Sequence, residues 1–229
     1  MITFEHVSKR YPGGTNALLD INFHLEAGEM CFLTGHSGAG KSTLLRLILM
    51  LEKSSGGQVM VGGRNLSQTS QRLAPRVRQR IGMIFQDHKL LSDKTVFDNV
   101  SLPLMIAGMR YTEIKKRVRA ALDKVGLLNK EKSWPLQLSG GEQQRVGIAR
   151  AIVHMPPVLL ADEPTGNLDP KLSEELFGLF GQLNEQGVTV LIASHDLNLI
   201  REMGQRVLVL SGGRLVDDIP AQHAGGDSF

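Results

Sequence analysis

The chain has 229 residues, of which 41% are hydrophobic and 21% charged, with a formal net charge of +3. That length suits one sizeable core and at most two modest domains, and that balance excludes a disordered chain or a long coiled coil. A single cysteine, Cys31, excludes an internal disulfide and, in the apolar run Met30-Cys31-Phe32-Leu33, reads as a small buried hydrophobe without chemistry of its own.

The N-terminus has no basic run followed by an apolar one, so no signal peptide is expected. No stretch reaches the roughly 18 apolar residues of a membrane span, since residues 44–51 are broken by Arg46, and the expected location is the cytoplasm. Strand-like runs at 2–7, 18–25 and 30–34, separated by Tyr11-Pro12-Gly13-Gly14 and Glu26-Ala27-Gly28-Glu29, predict a mostly β start. A glycine loop then opens a helix at about Lys41. A strand and turn follow at 58–63, and a buried strand at 81–85.

From about 95 to 128 the pattern changes, with no strand-like run and one clear amphipathic helix. Its stripe is Ile114, Val118, Ala121, Leu122 and Val125, with Lys115, Lys116, Arg117 and Arg119 off it. Strand-like residues return at 158–161, then a helix near Pro170 with Leu172, Leu176, Leu179, Phe180 and Leu183 at helical spacing, and strands at 188–193 and 206–210. Residues 217–229 are polar and aperiodic, as in a loose tail. The alternation predicts an α/β core with an inserted α-helical subdomain. Between residues 64 and 119 stand 12 Lys or Arg against 4 Asp or Glu. Such a basic middle suits anionic lipid, nucleic acid or an acidic partner, and equally a solvated helical face.

Gly35-His36-Ser37-Gly38-Ala39-Gly40-Lys41-Ser42 follows a strand and opens a helix. Its glycines let backbone N–H groups turn onto a polyphosphate at a helix N-terminus, Lys41 supplies a cation for the β- and γ-phosphates, and Ser42 supplies a hydroxyl for Mg²⁺. Composition alone produces about 0.02 such matches, so a plain glycine turn is a poor explanation. The strand at 158–161 ends in Asp162 and Glu163, where α/β sheets place ligands. Beside a phosphate loop, Asp162 suits the Mg²⁺ shell and Glu163 suits a proton acceptor for the attacking water. Leu138-Ser139-Gly140-Gly141-Glu142 opens another helix, and by itself reads as an N-cap with a flexible entry or a second anion site. By themselves, too, His195 suits a helix-cap neighbour, Tyr11 a strand-end aromatic and Gln86 a solvent-facing loop residue.

The phosphate loop, Leu138-Ser139-Gly140-Gly141-Glu142, Asp162-Glu163, Asn167-Leu168-Asp169 and the late His195 occur in the order found in ABC ATPase subunits. The chain resembles that family from residue 2 to about 211. The resemblance implies a P-loop NTPase core with a mixed sheet and an N-terminal antiparallel β part. Residues 1–86 and 156–216 would be its RecA-like core, 87–155 the helical subdomain with the signature, and 217–229 the tail. It implies Mg²⁺-dependent hydrolysis of ATP by a head-to-tail homodimer. Gly35, His36, Ser37, Gly38, Ala39, Gly40, Lys41, Ser42 and Thr43 of one copy would face Ser139, Gly140, Gly141 and Glu142 of the other. Ser42, Gln86 and Asp162 would serve the metal, and Glu163, Gln86 and His195 the chemistry. Tyr11 would stack on adenine.

Residues 161–169 (ADEPTGNLD) and 137–151 (QLSGGEQQRVGIARA) resemble a branch holding bacterial cell-division, lipoprotein-release and macrolide-export ATPases, the cell-division members most. Likeness to the cell-division members implies an integral membrane partner, a place on the inner face of the cell membrane, and signalling to cell-wall hydrolases; the alternative is the ATPase subunit of a lipoprotein-release or macrolide-export transporter. DNA-associated relatives carry long coiled-coil arms or two cores, for which 229 residues leave no room, so no nucleic-acid partner is expected. Met50-Leu51 departs from the family pattern, which has Gly and a small apolar residue there, and residues 53–57 lack its Pro.

Overall fold

The computed structural model describes residues 1–166 and 168–221. In chain order the elements are β1 (Ile2–Arg10), β2 (Asn16–Leu25), β3 (Met30–Thr34), α1 (Lys41–Ile48), β4 (Gly56–Val61), β5 (Arg64–Asn65) and α2 (Ala74–Arg78). Then come β6 (Ile81–Ile84), α3 (Val96–Ile106), α4 (Tyr111–Lys124), α5 (Gly140–Ile152), β7 (Val158–Asp162) and α6 (Pro170–Glu185). The chain continues with β8 (Thr189–Ala193), α7 (Leu197–Met203), β9 (Arg206–Ser211) and β10 (Arg214–Ile219). It forms two compact units, one from Met1–Val77 with the residues from Thr189 onward, the other Arg78–Val188.

In the first unit β2, β1, β4 and β5 form an antiparallel sheet in that order. Ile2, Phe4 and Val7 are its buried face on β1, and Phe4 stacks on its cross-strand partner Phe23 with ring centroids 4.7 Å apart. β3 lies between β8 and β9, parallel to both. Every residue of β3 and β8 is buried, which explains why both read as unbroken apolar runs and not as alternating ones.

β10 pairs antiparallel with β9 and includes Asp217, Asp218 and Ile219, which the aperiodic sequence assigned to the tail. What orders them is a bidentate pair between Arg206 and Asp218, both contacts 2.7 Å, while a third Arg206 nitrogen meets Glu29 at 2.9 Å. The remaining tail, 222–229, lies outside the described residues.

In the second unit β6 and β7 run parallel. Gly82 of β6 approaches α5 so closely that a Cβ there would stand 2.4 Å from the Ala151 carbonyl oxygen. Ile114, Val118, Ala121, Leu122 and Val125 are all buried, as their spacing predicts. The same stretch also holds α3, which the sequence reading did not separate. Its apolar residues surround the helix without a polar face, and Pro103 stands inside it. A local signal did exist: Thr95 and Asp98 form a capping box, with Asp98 N–H donating to Thr95 Oγ1 at 3.1 Å.

Candidate functional site

The phosphate loop belongs to the first unit. Gly35 and Gly40 have φ of +146° and +111°. A Cβ at Gly35 would stand 2.2 Å from the Leu210 carbonyl oxygen, and one at Gly40 would stand 2.7 Å from that of Ala17, so backbone on both sides excludes any larger residue. α1 starts after Gly40 with no side-chain cap, which leaves the positive end of the helix to whatever the loop encloses. Lys41 is only 9% exposed, and its ammonium donates to the carbonyls of Gly35 at 2.6 Å and His36 at 3.4 Å. The cation is therefore folded back into the loop. His36, Ser37, Gly38 and Ser42 are exposed, and Ala39 is buried with its N–H donating to the His36 carbonyl at 3.1 Å.

Tyr11 is tied to this loop, since its hydroxyl lies 3.4 Å from Thr43 Oγ1. One face of its ring is covered by the Lys9 ammonium, 4.9 Å from the centroid. Lys9 is itself buried, paired with Glu52 at 2.8 Å and donating to the Lys53 carbonyl at 2.9 Å. The β3–β8 register pairs Leu33 with Ala193. Gly35, the first residue of the loop, and His195 each follow this last pair by two residues, at the carboxyl ends of neighbouring strands. His195 is exposed and precedes Asp196, whose carboxylate caps α7 by accepting from the N–H groups of Asn198 and Leu199, both at 3.1 Å.

The second unit carries the carboxylates. β6 and β7 are in register from Ile81 opposite Val158 to Ile84 opposite Ala161. Gln86 and Glu163 each follow this last pair by two residues, at the carboxyl ends of neighbouring strands. Gln86 is exposed, and Asp162 and Glu163 are half-buried. Glu163 has φ of +48°, a left-handed conformation that stores about 1–3 kcal/mol in a non-glycine residue. Strain of this kind concentrates where side-chain direction matters.

Ser139 caps α5, with Glu142 N–H donating to its Oγ at 3.2 Å and Ser139 N–H donating back to the Glu142 carboxylate at 2.9 Å. That backbone N–H holds the Glu142 carboxyl below the usual carboxylate range. Gly140 and Gly141 form the first turn of the helix, Gly140 exposed. Asn167 lies outside the described residues. Its neighbour Asp169 caps α6, accepting from Leu172 N–H at 3.0 Å.

Among the described residues no group of three or more His, Cys, Asp or Glu side chains gathers into a metal cage. Ser42 and Asp162 carry a hydroxyl and a carboxylate, the hard oxygen donors that Mg²⁺ takes singly or in pairs, its shell otherwise filled by phosphate oxygens and water. Sequence reasoning missed the buried polar residues Lys9 and Gln144 and the half-buried Arg150, whose guanidinium donates to two loop carbonyls. Lys9 and Gln144 stand between polar neighbours in the chain, so nothing local marks them as interior.

The family model described as ABC transporter matches residues 18–166. The cell division ATP-binding protein FtsE of Escherichia coli (strain K12) is 60% identical over 215 residues, covering 94% of this chain and 97% of that protein. Among solved structures, the dimeric structure of MJ0796, a bacterial ABC transporter cassette, matches with a TM-score of 0.92 at 36% identity, covering 97% of this chain and 99% of that one. The dimeric post-hydrolysis state of the same cassette bound to ADP and Pi matches with a TM-score of 0.92 at 35% identity, with the same coverage. These likenesses bear out the α/β, P-loop NTPase core of ABC type. Among the described residues no helix is long and apolar enough to cross a membrane. With a phosphate loop of this geometry, and likeness to such relatives over nearly its whole length, the chain belongs to the ABC transporter family.

Proposed function

We propose that the chain is the ATP-binding, Mg²⁺-dependent ATP-hydrolysing subunit of a membrane complex in bacterial cell division. It would work as a head-to-tail homodimer on the inner face of the cell membrane, with an FtsX-like integral membrane partner. The observation that supports this most is the inward Lys41 ammonium, 2.6 Å from the Gly35 carbonyl in a loop that excludes every larger residue at Gly35 and Gly40. A cation turned into the loop beside an uncapped helix N-terminus suits an anion. The identity to a cell division ATP-binding protein supports the biological setting.

In this reading the backbone amides at the start of α1 and Lys41 bind the polyphosphate, and Tyr11 offers the ring face opposite Lys9 to adenine. Ser42 and Asp162 hold Mg²⁺, and Gln86 senses it. Bound Mg²⁺ neutralises charge on the β- and γ-oxygens. Glu163 accepts a proton from the attacking water, and His195 contacts the γ-phosphate. Ser139, Gly140, Gly141 and Glu142 act on the nucleotide held by the other copy, so ATP completes the dimer and binding drives closure.

Phosphate release in Mg²⁺ or EDTA tests the reading, together with size-exclusion chromatography in ATP. Glu163→Gln should lose about 100-fold or more in turnover while still binding ATP and running as a dimer, and Lys41→Ala should lose both binding and dimer. A wild-type rate in Glu163→Gln would remove Glu163 as the base. A rate indifferent to EDTA would remove Mg²⁺.

A further inference from the structure

Behind the candidate site, the second unit contains a buried side-chain bridge. Gln144 lies one turn into α5 and is 2% exposed. Its Nε2 donates to the Pro164 carbonyl at 2.8 Å, one residue beyond Glu163. Its Oε1 meets His88 Nδ1, two residues beyond Gln86. The Pro164 carbonyl can only accept, so it fixes which end of the Gln144 amide faces it. The amide oxygen then faces His88, and His88 must carry its proton on Nδ1.

Lower on the same helix Arg150 donates to the His88 carbonyl at 2.6 Å and to the Lys89 carbonyl at 2.7 Å. His88 and Lys89 both hold left-handed backbone, φ +58° and +48°. Such a turn persists only where its surroundings over-determine it. One helix, the one that begins with Ser139-Gly140-Gly141, thus grips the loop after β6 and the loop after β7 at once.

We propose that Gln144 is a positioning residue that locks Gln86 and Glu163 to one another through His88 and Pro164, so that movement of either loop is felt by the other. This rests on the reading of Gln86 and Glu163 as ATP-hydrolysing residues. The chemistry requires an amide at position 144, because one side chain must donate to a carbonyl and accept from an imidazole within a buried site. A carboxylate would set oxygen against the Pro164 oxygen, and an aliphatic group would release both loops.

The test uses the full chain with Gln144→Leu, His88→Ala, their combination, and His88→Asn, which keeps a donor at the Nδ1 position. Amide hydrogen exchange of the nucleotide-free protein should quicken tenfold or more in Gln144→Leu at both 86–91 and 163–166, and stay unchanged in α1. In steady-state hydrolysis kcat should fall tenfold or more with KM for ATP within twofold. His88→Ala should behave likewise, the combination should be no worse than either single change, and His88→Asn should stay near the parent. Loosening of one loop alone or of neither, additive losses, or a kcat within twofold of the parent would each overturn the inference. If Gln144→Leu does not fold, the His88→Ala and His88→Asn pair decides by the same measurements. A parent chain that hydrolyses no ATP would sink the proposed function, while the exchange measurement still decides this inference.

Discussion

Met50 places a long side chain where backbone geometry favours glycine. It has φ of +51° and is 3% exposed, two residues past the end of α1. The left-handed conformation costs about 1 kcal/mol in a non-glycine residue, and burial of a methionine returns about 2 kcal/mol, so packing wins. Glycine at this position would take the turn without strain. The two effects separate by substitution. Met50→Ala, which loses the packing and keeps the strain, should be about 1 kcal/mol less stable than Met50→Gly in urea unfolding, and both less stable than the parent. Equal losses would show that the backbone at 50 is relaxed. Cys31 behaves as its apolar run predicts. It is buried in β3, and desolvation pushes its thiol up to about 12, which keeps it from being a nucleophile at neutral pH.

At the scale of elements, those read correctly have one polar and one apolar face, or are apolar throughout and short. α4 and β8 are examples, because period and length suffice for each. α3 is ambiguous on both counts, and a buried asparagine supports its entry. Asn99 is 0% exposed. Its Nδ2 donates to the carbonyls of Leu91 at 3.0 Å, Lys94 at 3.2 Å and Thr95 at 3.0 Å, and its Oδ1 accepts from Leu91 N–H at 2.8 Å. Asn99→Leu would strand those backbone groups and should cost about 3 kcal/mol in urea unfolding, far more than an apolar swap of similar volume elsewhere on the helix. A loss below 1 kcal/mol would mean that water takes over those partners. β10 escaped notice because Asp217 and Asp218 interrupt its apolar pattern, although Gly212-Gly213 marks a hairpin turn and Asp218 pairs with Arg206 on the preceding strand.

For the molecule as a whole, acid stability depends on a histidine outside the candidate site. His154, just past α5, has both ring nitrogens buried and, among the described residues, no hydrogen-bond partner for either. Desolvation holds its pKa below the ordinary 6.5. The unfolded chain therefore binds a proton more readily than the folded one. The stability His154 lends is complete above pH 6.5 and is lost as pH falls through that value toward the lower folded pKa. The melting temperature should fall between pH 7.5 and pH 5.5, and less steeply in His154→Leu. Identical slopes in the two proteins would rule His154 out as the cause. What the sequence determined by itself is the chemistry that consecutive residues can carry: the loop from Gly35 to Ser42, the carboxylates after Ala161, and the capped turn at Ser139. A phosphate cradle, a strand end and a helix start are each built from neighbours in the chain, so their residue types and spacing are legible there. The tertiary structure alone decided which distant residues meet. Strand pairing brings together the ends of β3 and β8, which lead to Gly35 and His195, and the ends of β6 and β7, which lead to Gln86 and Glu163, while Gln144 joins two loops. Hydrogen bonds between strands and buried polar contacts join residues tens of positions apart, and no local pattern encodes them.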